Sequence, residues 1–132
     1  MNAARVREIP MFRRLSQSEL ERIAGWLQSY SIPEGDVLVR EGASAHEFFL
    51  IEDGEAAVLE EGERVAVLGP GDFFGEIGLL ETGRRTASVI AATPMDVIVM
   101  YRPEFERMKV ELPTVADQIQ AAIRTRLPKP GV

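Results

Sequence analysis

The sequence has no cysteine and a single histidine, His46, among its 132 residues. Disulfide bonds and thiol chemistry are therefore excluded. Zinc and similar metals bind through several nitrogen or sulfur ligands, and metal-dependent enzymes built on a β roll use more than one histidine. Because the one histidine lies in a predicted loop, we expect neither a metal site nor a metalloenzyme.

Long apolar runs and an excess of positive charge are also missing. No window approaches the ~20 apolar residues that span a bilayer. The N-terminus, with Arg5, Arg7 and Glu8, lacks the apolar core of a signal peptide. We therefore expect a cytoplasmic protein without a membrane span. The net charge of -6 argues against nucleic-acid binding, which usually needs a basic face. An anionic ligand would need a local site built from a few positive groups.

The rest of the composition is that of one ordinary domain. Hydrophobic residues make up 45% of the chain and charged residues 27%, and the length is typical of a single domain, which we expect to cover residues 1–132. A helix is predicted over about residues 16–30. It opens with a capping-box signature at Ser16 and Glu19. Apolar residues then recur at helical spacing, at Leu20, Ile23, Ala24 and Leu27.

Between about residues 32 and 101 the pattern changes to short apolar runs separated by turns. The runs are rich in Val, Ile and Phe, and glycines punctuate them at short, fairly regular intervals. This spacing predicts an antiparallel β sandwich or barrel rather than alternating strands and helices. One turn, with the sequence EEGER, predicts a tight hairpin in which Gly62 supplies a positive φ.

Helical spacing returns near the C-terminus and predicts two helices over about residues 103–127. Pro103 suits the first position of a helix, and Phe105 and Met108 share one face. Pro113 then interrupts or restarts the helix. A second apolar stripe follows at Val115, Ile119, Ala122, Ile123 and Leu127.

One segment inside the β region fits neither a strand nor a hairpin: FFGEIGLLETGRRTASV. It predicts a short helical turn beginning at Gly75. Unpaired backbone N–H groups at the start of such a turn favour the binding of an anion, and the missing Cβ of Gly75 lets a ligand approach the backbone closely. Gly83 then turns the chain and brings Arg84 and Arg85 back toward that turn, and a guanidinium can bind two phosphate oxygens at once. Glu76 would repel a bare phosphate. We therefore expect a ligand that also carries a hydroxyl donor, as a ribose cyclic phosphate does.

The segment closely resembles the phosphate-binding cassette of the cyclic nucleotide-binding domain family. That cassette reads F-G-E-(I/L)-(A/G/C)-L-L, a short spacer, and R-(T/A/S)-A-(T/S)-V. The upstream GASAHEFFLIEDGEAAV is similar to the family's strand pair, with Phe49 where tyrosine is common. The family includes bacterial cAMP receptor transcription factors, cyclic-nucleotide-dependent kinases and nucleotide-gated channels. The resemblance implies a mainly β fold with flanking helices. Its parts are an antiparallel β jelly roll (double-stranded β-helix), an N-terminal helix, a short phosphate-binding helix within the roll, and hinge and lid helices at the C-terminus.

The resemblance also implies roles for individual residues. Arg85 would bind the cyclic phosphate and Glu76 would accept the ribose 2′-OH, while Thr86 would donate its hydroxyl to the phosphate or the base edge. Arg84 falls in the spacer and is expected to face solvent. The implied ligand-binding residues are Gly75, Glu76, Ile77, Gly78, Arg85, Thr86 and Ala87. The candidates in the lid helix are Arg124 and Arg126.

We therefore expect a sensor domain that binds cAMP or cGMP, with no catalytic residue and no cofactor beyond this ligand. Thr86 does not discriminate between the two bases. Binding would be relayed by the C-terminal helices to an attached effector domain or a partner protein, and the sequence leaves open whether the chain stands alone. The alternative is a degenerate jelly-roll interaction module without a ligand, which would be expected to depart from the family at Arg85 or Glu76. A P-loop is excluded because its lysine position holds Arg84.

Overall fold

Two four-stranded antiparallel sheets form the body of the protein in the computed structural model, which describes residues 1–43, 47–75 and 87–126. The strands are β1 (Gln28–Ile32), β2 (Val37–Val39), β3 (Glu47–Asp53), β4 (Ala56–Glu60), β5 (Glu63–Leu68), β6 (Phe73–Phe74), β7 (Ser88–Ala91) and β8 (Met95–Tyr101). The first sheet has the order β1-β8-β3-β6, and the second has the order β2-β7-β4-β5. This is the mainly β, antiparallel architecture predicted from the sequence.

Apolar side chains from both sheets meet in one core. Phe74 of β6 stacks on Phe49 of β3, with ring centroids 4.7 Å apart, and both rings are buried. Side chains along a strand alternate between its two faces, and β3, β4, β7 and β8 each send every second residue into this core. The other buried members are Val39, Ile51, Ala56, Val58, Leu68, Ala87, Val89, Ala91, Met95, Val97 and Val99.

Three short helical elements precede the roll: α1 (Ala3–Arg7), a 3-10 turn (Pro10–Phe12) and α2 (Gln17–Ala24). The predicted capping box is confirmed at the start of α2. The Glu19 backbone N–H donates to the Ser16 hydroxyl over 3.1 Å. In return, the Ser16 backbone N–H donates to the Glu19 carboxylate over 2.8 Å. Two of the unpaired donors at the helix N-terminus are satisfied in this way.

The first predicted helix, over residues 16–30, is too long. Helix α2 ends at Ala24 with Gly25 as its C-cap, and residues 28–32 form β1, which pairs with β8 from Gln28 opposite Val99 to Ile32 opposite Met95. The roll therefore begins at residue 28 rather than 32. The side chains of residues 28–31 are exposed, so backbone pairing rather than an apolar face holds this strand in place.

The predicted hairpin at EEGER is confirmed. It joins β4 to β5, with Glu60 opposite Glu63, so only two residues make the turn. Glu61 has φ 52 and Gly62 has φ 83. Two consecutive positive φ angles are typical of the type I′ turn, whose twist matches that of the flanking strands.

Two helices follow the roll, α3 (Arg102–Glu111) and α4 (Pro113–Arg126), with Leu112 alone between them. Pro103 occupies the second rather than the first position of α3, and Phe105 and Met108, which were predicted to share one face, are both buried. No helix within the described residues is long and apolar enough to span a membrane. The helices and the outer face of the first sheet share a second core: Val6, Ile9, Phe12, Leu20, Ile23, Ala24, Trp26, Leu27, Phe48, Leu50, Ile98, Met100, Phe105, Met108, Val115 and Ala116.

Candidate functional site

The predicted cassette begins where the chain leaves the first sheet. Strand β6 pairs with β3, with Phe74 opposite Phe49 and Phe73 opposite Leu50. Burial of Phe74 anchors the last residue of the strand in the inter-sheet core. Gly75 follows with φ 91, a left-handed conformation that glycine adopts at little cost. The cassette therefore starts from a fixed point on the roll with a backbone turn that favours glycine.

The turn before β6 is held by Asp72. Its carboxylate accepts a hydrogen bond from the Gly69 backbone N–H over 2.9 Å. Its carbonyl accepts another from the Ile51 backbone N–H, also over 2.9 Å, and the Gly71 N–H donates to the Ile51 carbonyl. These bonds tie the GPGD turn to β3, so the direction in which the chain enters the cassette is set by the first sheet.

The cassette ends where the chain enters the second sheet. Ala87 is 1% exposed, and β7 starts at the next residue, between β2 and β4. The Ser88 hydroxyl accepts a hydrogen bond from the Glu41 backbone N–H over 2.9 Å, and Val89 lies in the inter-sheet core. The segment between Gly75 and Ala87 therefore connects one sheet to the other.

The structure describes only the two ends of the predicted ligand site, Gly75 and Ala87. Helix α4 includes Arg124 and Arg126, the predicted lid residues. The predicted short helix and the other named cassette residues lie outside the described residues: Glu76, Ile77, Gly78, Gly83, Arg84, Arg85 and Thr86. His46 also lies outside them. Within the described part of the chain, no group of three or more His, Cys, Asp and Glu residues is arranged to hold a metal ion.

A pair of tyrosines lines a pocket of about 260 Å³. The Tyr30 and Tyr101 hydroxyls are 2.8 Å apart and share a hydrogen bond. That bond raises the pKa of Tyr101 to about 12, with further contributions from burial and from the charges of Glu47 and Glu104. The pocket is lined by Tyr30, Ile32, Asp36, Val37, Leu38, Glu47, Phe49, Val97, Val99 and Tyr101.

Sequence reasoning missed this pair because it placed residue 30 at the end of a helix. Tyr30 lies on β1 and is 42% exposed, whereas Tyr101 ends β8 and serves as the N-cap residue of α3. The sequence QSYSI of β1 does carry a weak signal, since β-branched and aromatic residues favour strands. No apolar run marks it, however.

A family model described as "Cyclic nucleotide-binding domain" matches residues 30–110. Among curated proteins, a cAMP-dependent protein kinase regulatory subunit of Hypocrea atroviridis is 38% identical over 76% of this chain and 22% of its own length. A regulatory subunit of the same kind from Aspergillus fumigatus is 35% identical over 99% of this chain and 32% of its own length. The chain thus spans a third or less of these two relatives, and the family expected from the cassette is confirmed.

Solved structures show the same fold. The Catabolite Activator Protein of Thermus thermophilus superposes with a TM-score of 0.76 at 28% identity, covering 89% of this chain and 58% of that one. A putative cyclic nucleotide-binding protein of Geobacter metallireducens superposes with a TM-score of 0.82 at 24% identity, covering 96% and 98%. The expected β jelly roll is therefore confirmed.

Proposed function

Because the chain belongs to the cyclic nucleotide-binding domain family, we propose that it is a sensor that binds cAMP in the segment from Gly75 to Val89 and relays binding through its C-terminal helices. The observation that carries this proposal is the cassette itself. The family match runs through FGEIGLLETGRRTASV. This segment has a glutamate at the position expected to bind the ribose 2′-OH and an arginine at the position expected to bind the cyclic phosphate.

Each functional group of the ligand has a proposed partner. The Arg85 guanidinium binds the cyclic phosphate through two parallel hydrogen bonds, a geometry that lysine does not offer. The Glu76 carboxylate accepts the ribose 2′-OH, and the Thr86 hydroxyl donates to the phosphate or the base edge. Backbone groups of Gly75, Ile77, Gly78 and Ala87 complete the cradle. The site attracts an anion in spite of the net charge of -6, because these groups act over a few ångströms.

The proposed role is regulatory rather than catalytic. Its support is that the curated relatives are regulatory subunits. Ligand binding would change the position of α4 relative to the roll, with Arg124 and Arg126 as lid contacts. An effector domain or partner protein would respond to that change. The alternative, a jelly-roll module that has lost its ligand, predicts a departure at Arg85 or Glu76, and the sequence keeps both residues.

Calorimetric titration of cAMP into two single variants tests the phosphate assignment. Arg85→Ala leaves the phosphate unpaired and is expected to weaken binding by roughly 2–5 kcal/mol, the usual cost of truncating a close charge pair. Arg84→Ala is the matched control, since it removes the same charge one residue away and is expected to change affinity by about 1 kcal/mol at most. Equal losses of cAMP affinity in the two variants would contradict the assignment of Arg85 to the phosphate.

The choice of base is tested separately. We propose cAMP as the ligand, and cGMP is the second candidate because Thr86 is compatible with both. Competition between the two nucleotides for a single fluorescent cyclic nucleotide gives the ratio of their affinities directly. If cGMP binds more tightly, cGMP rather than cAMP becomes the proposed ligand, and the roles of Arg85 and Glu76 are unchanged.

A further inference from the structure

A polar groove of about 610 Å³ lies between the N-terminal elements and the start of α4. Its volume falls within the ~300–1,000 Å³ that is usual for ligand sites. None of its lining residues within the described part of the chain belongs to the proposed nucleotide site. They are Pro10, Arg13, Arg14, Leu15 and Glu19 on one wall and Thr114, Val115 and Gln118 on the other.

The positive charge of this groove comes from two consecutive arginines. Arg13 and Arg14 are exposed, and neither forms an ion pair with another described residue, whereas Arg22 and Arg107 both pair with Glu111. Acidic residues outnumber basic ones by 21 to 15 in this chain, so acidic partners are plentiful. Two adjacent guanidinium groups thus remain available to an outside anion.

The carboxylate of Glu19 has its own hydrogen-bond partner. Although Glu19 lines the groove, its carboxylate accepts the hydrogen bond from the Ser16 backbone N–H in the capping box. Within the described residues it makes no ion pair with either arginine. The carboxylate serves the helix N-terminus, where a negative charge is favourable.

The groove also has an apolar floor. Val115 is 2% exposed, and Leu15 is partly buried against the same core. A single inorganic ion would leave this floor and the Thr114 and Gln118 side chains without a partner. A longer ligand, with carboxylates on either side of an apolar residue, would contact the arginines and the floor together.

We propose that this groove binds an acidic peptide segment of a partner protein, with carboxylates on Arg13 and Arg14 and an apolar side chain against Leu15 and Val115. Charge complementarity supports this occupant, since exposed guanidinium groups bind carboxylates bidentately. Nucleic acid is disfavoured, because its affinity rests on an extended basic surface and the described lining of this groove offers two basic side chains.

The probe is a fluorescein-labelled peptide in which glutamates flank a central leucine, and binding is followed by fluorescence anisotropy in the absence of cyclic nucleotide. Saturable binding that weakens with added salt is expected. The same peptide with glutamine in place of each glutamate is expected not to bind. A failure of nucleotide binding elsewhere in the molecule would not affect this measurement.

Two pairs of variants locate the binding. The double variant Arg13→Ala and Arg14→Ala is expected to lower the affinity for the peptide about tenfold, because two exposed charge pairs are lost. Arg40→Ala with Arg64→Ala is the matched control. It removes the same charge from two exposed positions, one just after β2 and one on β5, and is expected to change affinity less than about twofold.

A single variant on the opposite wall gives a second test. Gln118→Glu adds a negative charge inside the groove and leaves both arginines in place. It is expected to lower the affinity for the peptide about threefold. Gln120→Glu on the same helix, outside the groove lining, is its control and is expected to have little effect.

Three results would overturn the proposal: no binding to the wild-type protein, equal losses in the two double-arginine variants, or displacement of the peptide by inorganic phosphate at an equal concentration. The last result would mean a simple anion site. Unchanged folding of each variant is checked by thermal unfolding, since all substituted side chains in the groove are exposed.

Discussion

Gly54 lies in the turn between β3 and β4, where the backbone passes close to the segment that joins β7 to β8. Its φ is 87, and a Cβ built on it would lie 2.3 Å from the Pro94 carbonyl oxygen and 2.9 Å from the Met95 Cα. Both atoms are backbone, so neither can swing aside. The glycine at this position of the segment that resembles the family's strand pair is thus explained by a close backbone contact as well as by its backbone angle.

Substitution of Gly54 should therefore cost more than substitution of Gly62, which has a similar φ of 83 but open space around it. Gly62→Ala is expected to lower the free energy of unfolding by about 1 kcal/mol, the cost of the left-handed backbone alone. Gly54→Ala adds the clash and is expected to lose more than about 3 kcal/mol. Urea denaturation of both variants measures this, and equal losses would refute the steric explanation.

The Tyr30–Tyr101 pair makes stability depend on pH in alkaline solution. Because the pKa of Tyr101 is raised from 10.0 to about 12 in the folded protein, the folded state holds its proton more tightly than the unfolded state. The resulting stabilisation is complete below pH 10 and is lost as the pH rises toward 12. Tyr30→Phe removes the main cause, so the pKa of Tyr101 is expected to fall toward 10 in an absorbance titration of tyrosinate. An unchanged titration would show that the hydrogen bond is not the cause.

Helix α2 allows the contributions of a capping box and of an exposed ion pair to the free energy of unfolding to be compared. Ser16→Ala removes the capping box and is expected to lower the free energy of unfolding by about 1 kcal/mol. Arg22→Gln removes the exposed ion pair with Glu111 of α3 and is expected to cost less than about 0.5 kcal/mol. Chemical denaturation compares the two, and a larger loss for Arg22→Gln would reverse this ranking of cap over surface charge.

The elements that sequence reasoning predicted well are those whose signals are local. The capping box at Ser16 and the two-residue turn at Gly62 each depend on a few neighbouring residues, and the structure has both. The end of α2 and the start of β1 depend on a strand about 70 residues away, because β1 is held by backbone pairing with β8. Its exposed side chains give no apolar alternation. The cassette was predicted from its resemblance to a family, while the Tyr30–Tyr101 pair required the correct placement of β1.

Across the whole molecule, β3 and β8 connect the roll interior to the helices. On β3, Phe48 and Leu50 pack into the helical core, while Phe49 and Ile51 pack into the inter-sheet core. Strand β8 repeats this alternation with Ile98 and Met100 on one side and Val97 and Val99 on the other. A change inside the roll is therefore separated from the helices by a single layer of strands, which provides a physical route for the proposed relay.

The proposed relay predicts a change in the position of α4. Because the chain has no cysteine, spin labels can be attached at Asp117→Cys on α4 and Glu63→Cys on β5, both exposed positions. Saturating cAMP is expected to shift the distance between them by several ångströms, as in other hinge movements. The control pair, Glu63→Cys with Glu34→Cys within the roll, should not change. An unchanged distance to α4 would contradict the lid.

The central claim is that one site binds a ribose together with the phosphate that is cyclised onto the same ribose. Calorimetric titration of cAMP and of 5′-AMP into the same protein tests it most directly, because the two ligands share base, ribose and phosphate but differ in the ring closure. We predict one cAMP per chain, bound roughly a hundredfold more tightly than 5′-AMP, which corresponds to about 2.7 kcal/mol. Equal affinities, or no binding of cAMP, would contradict the claim.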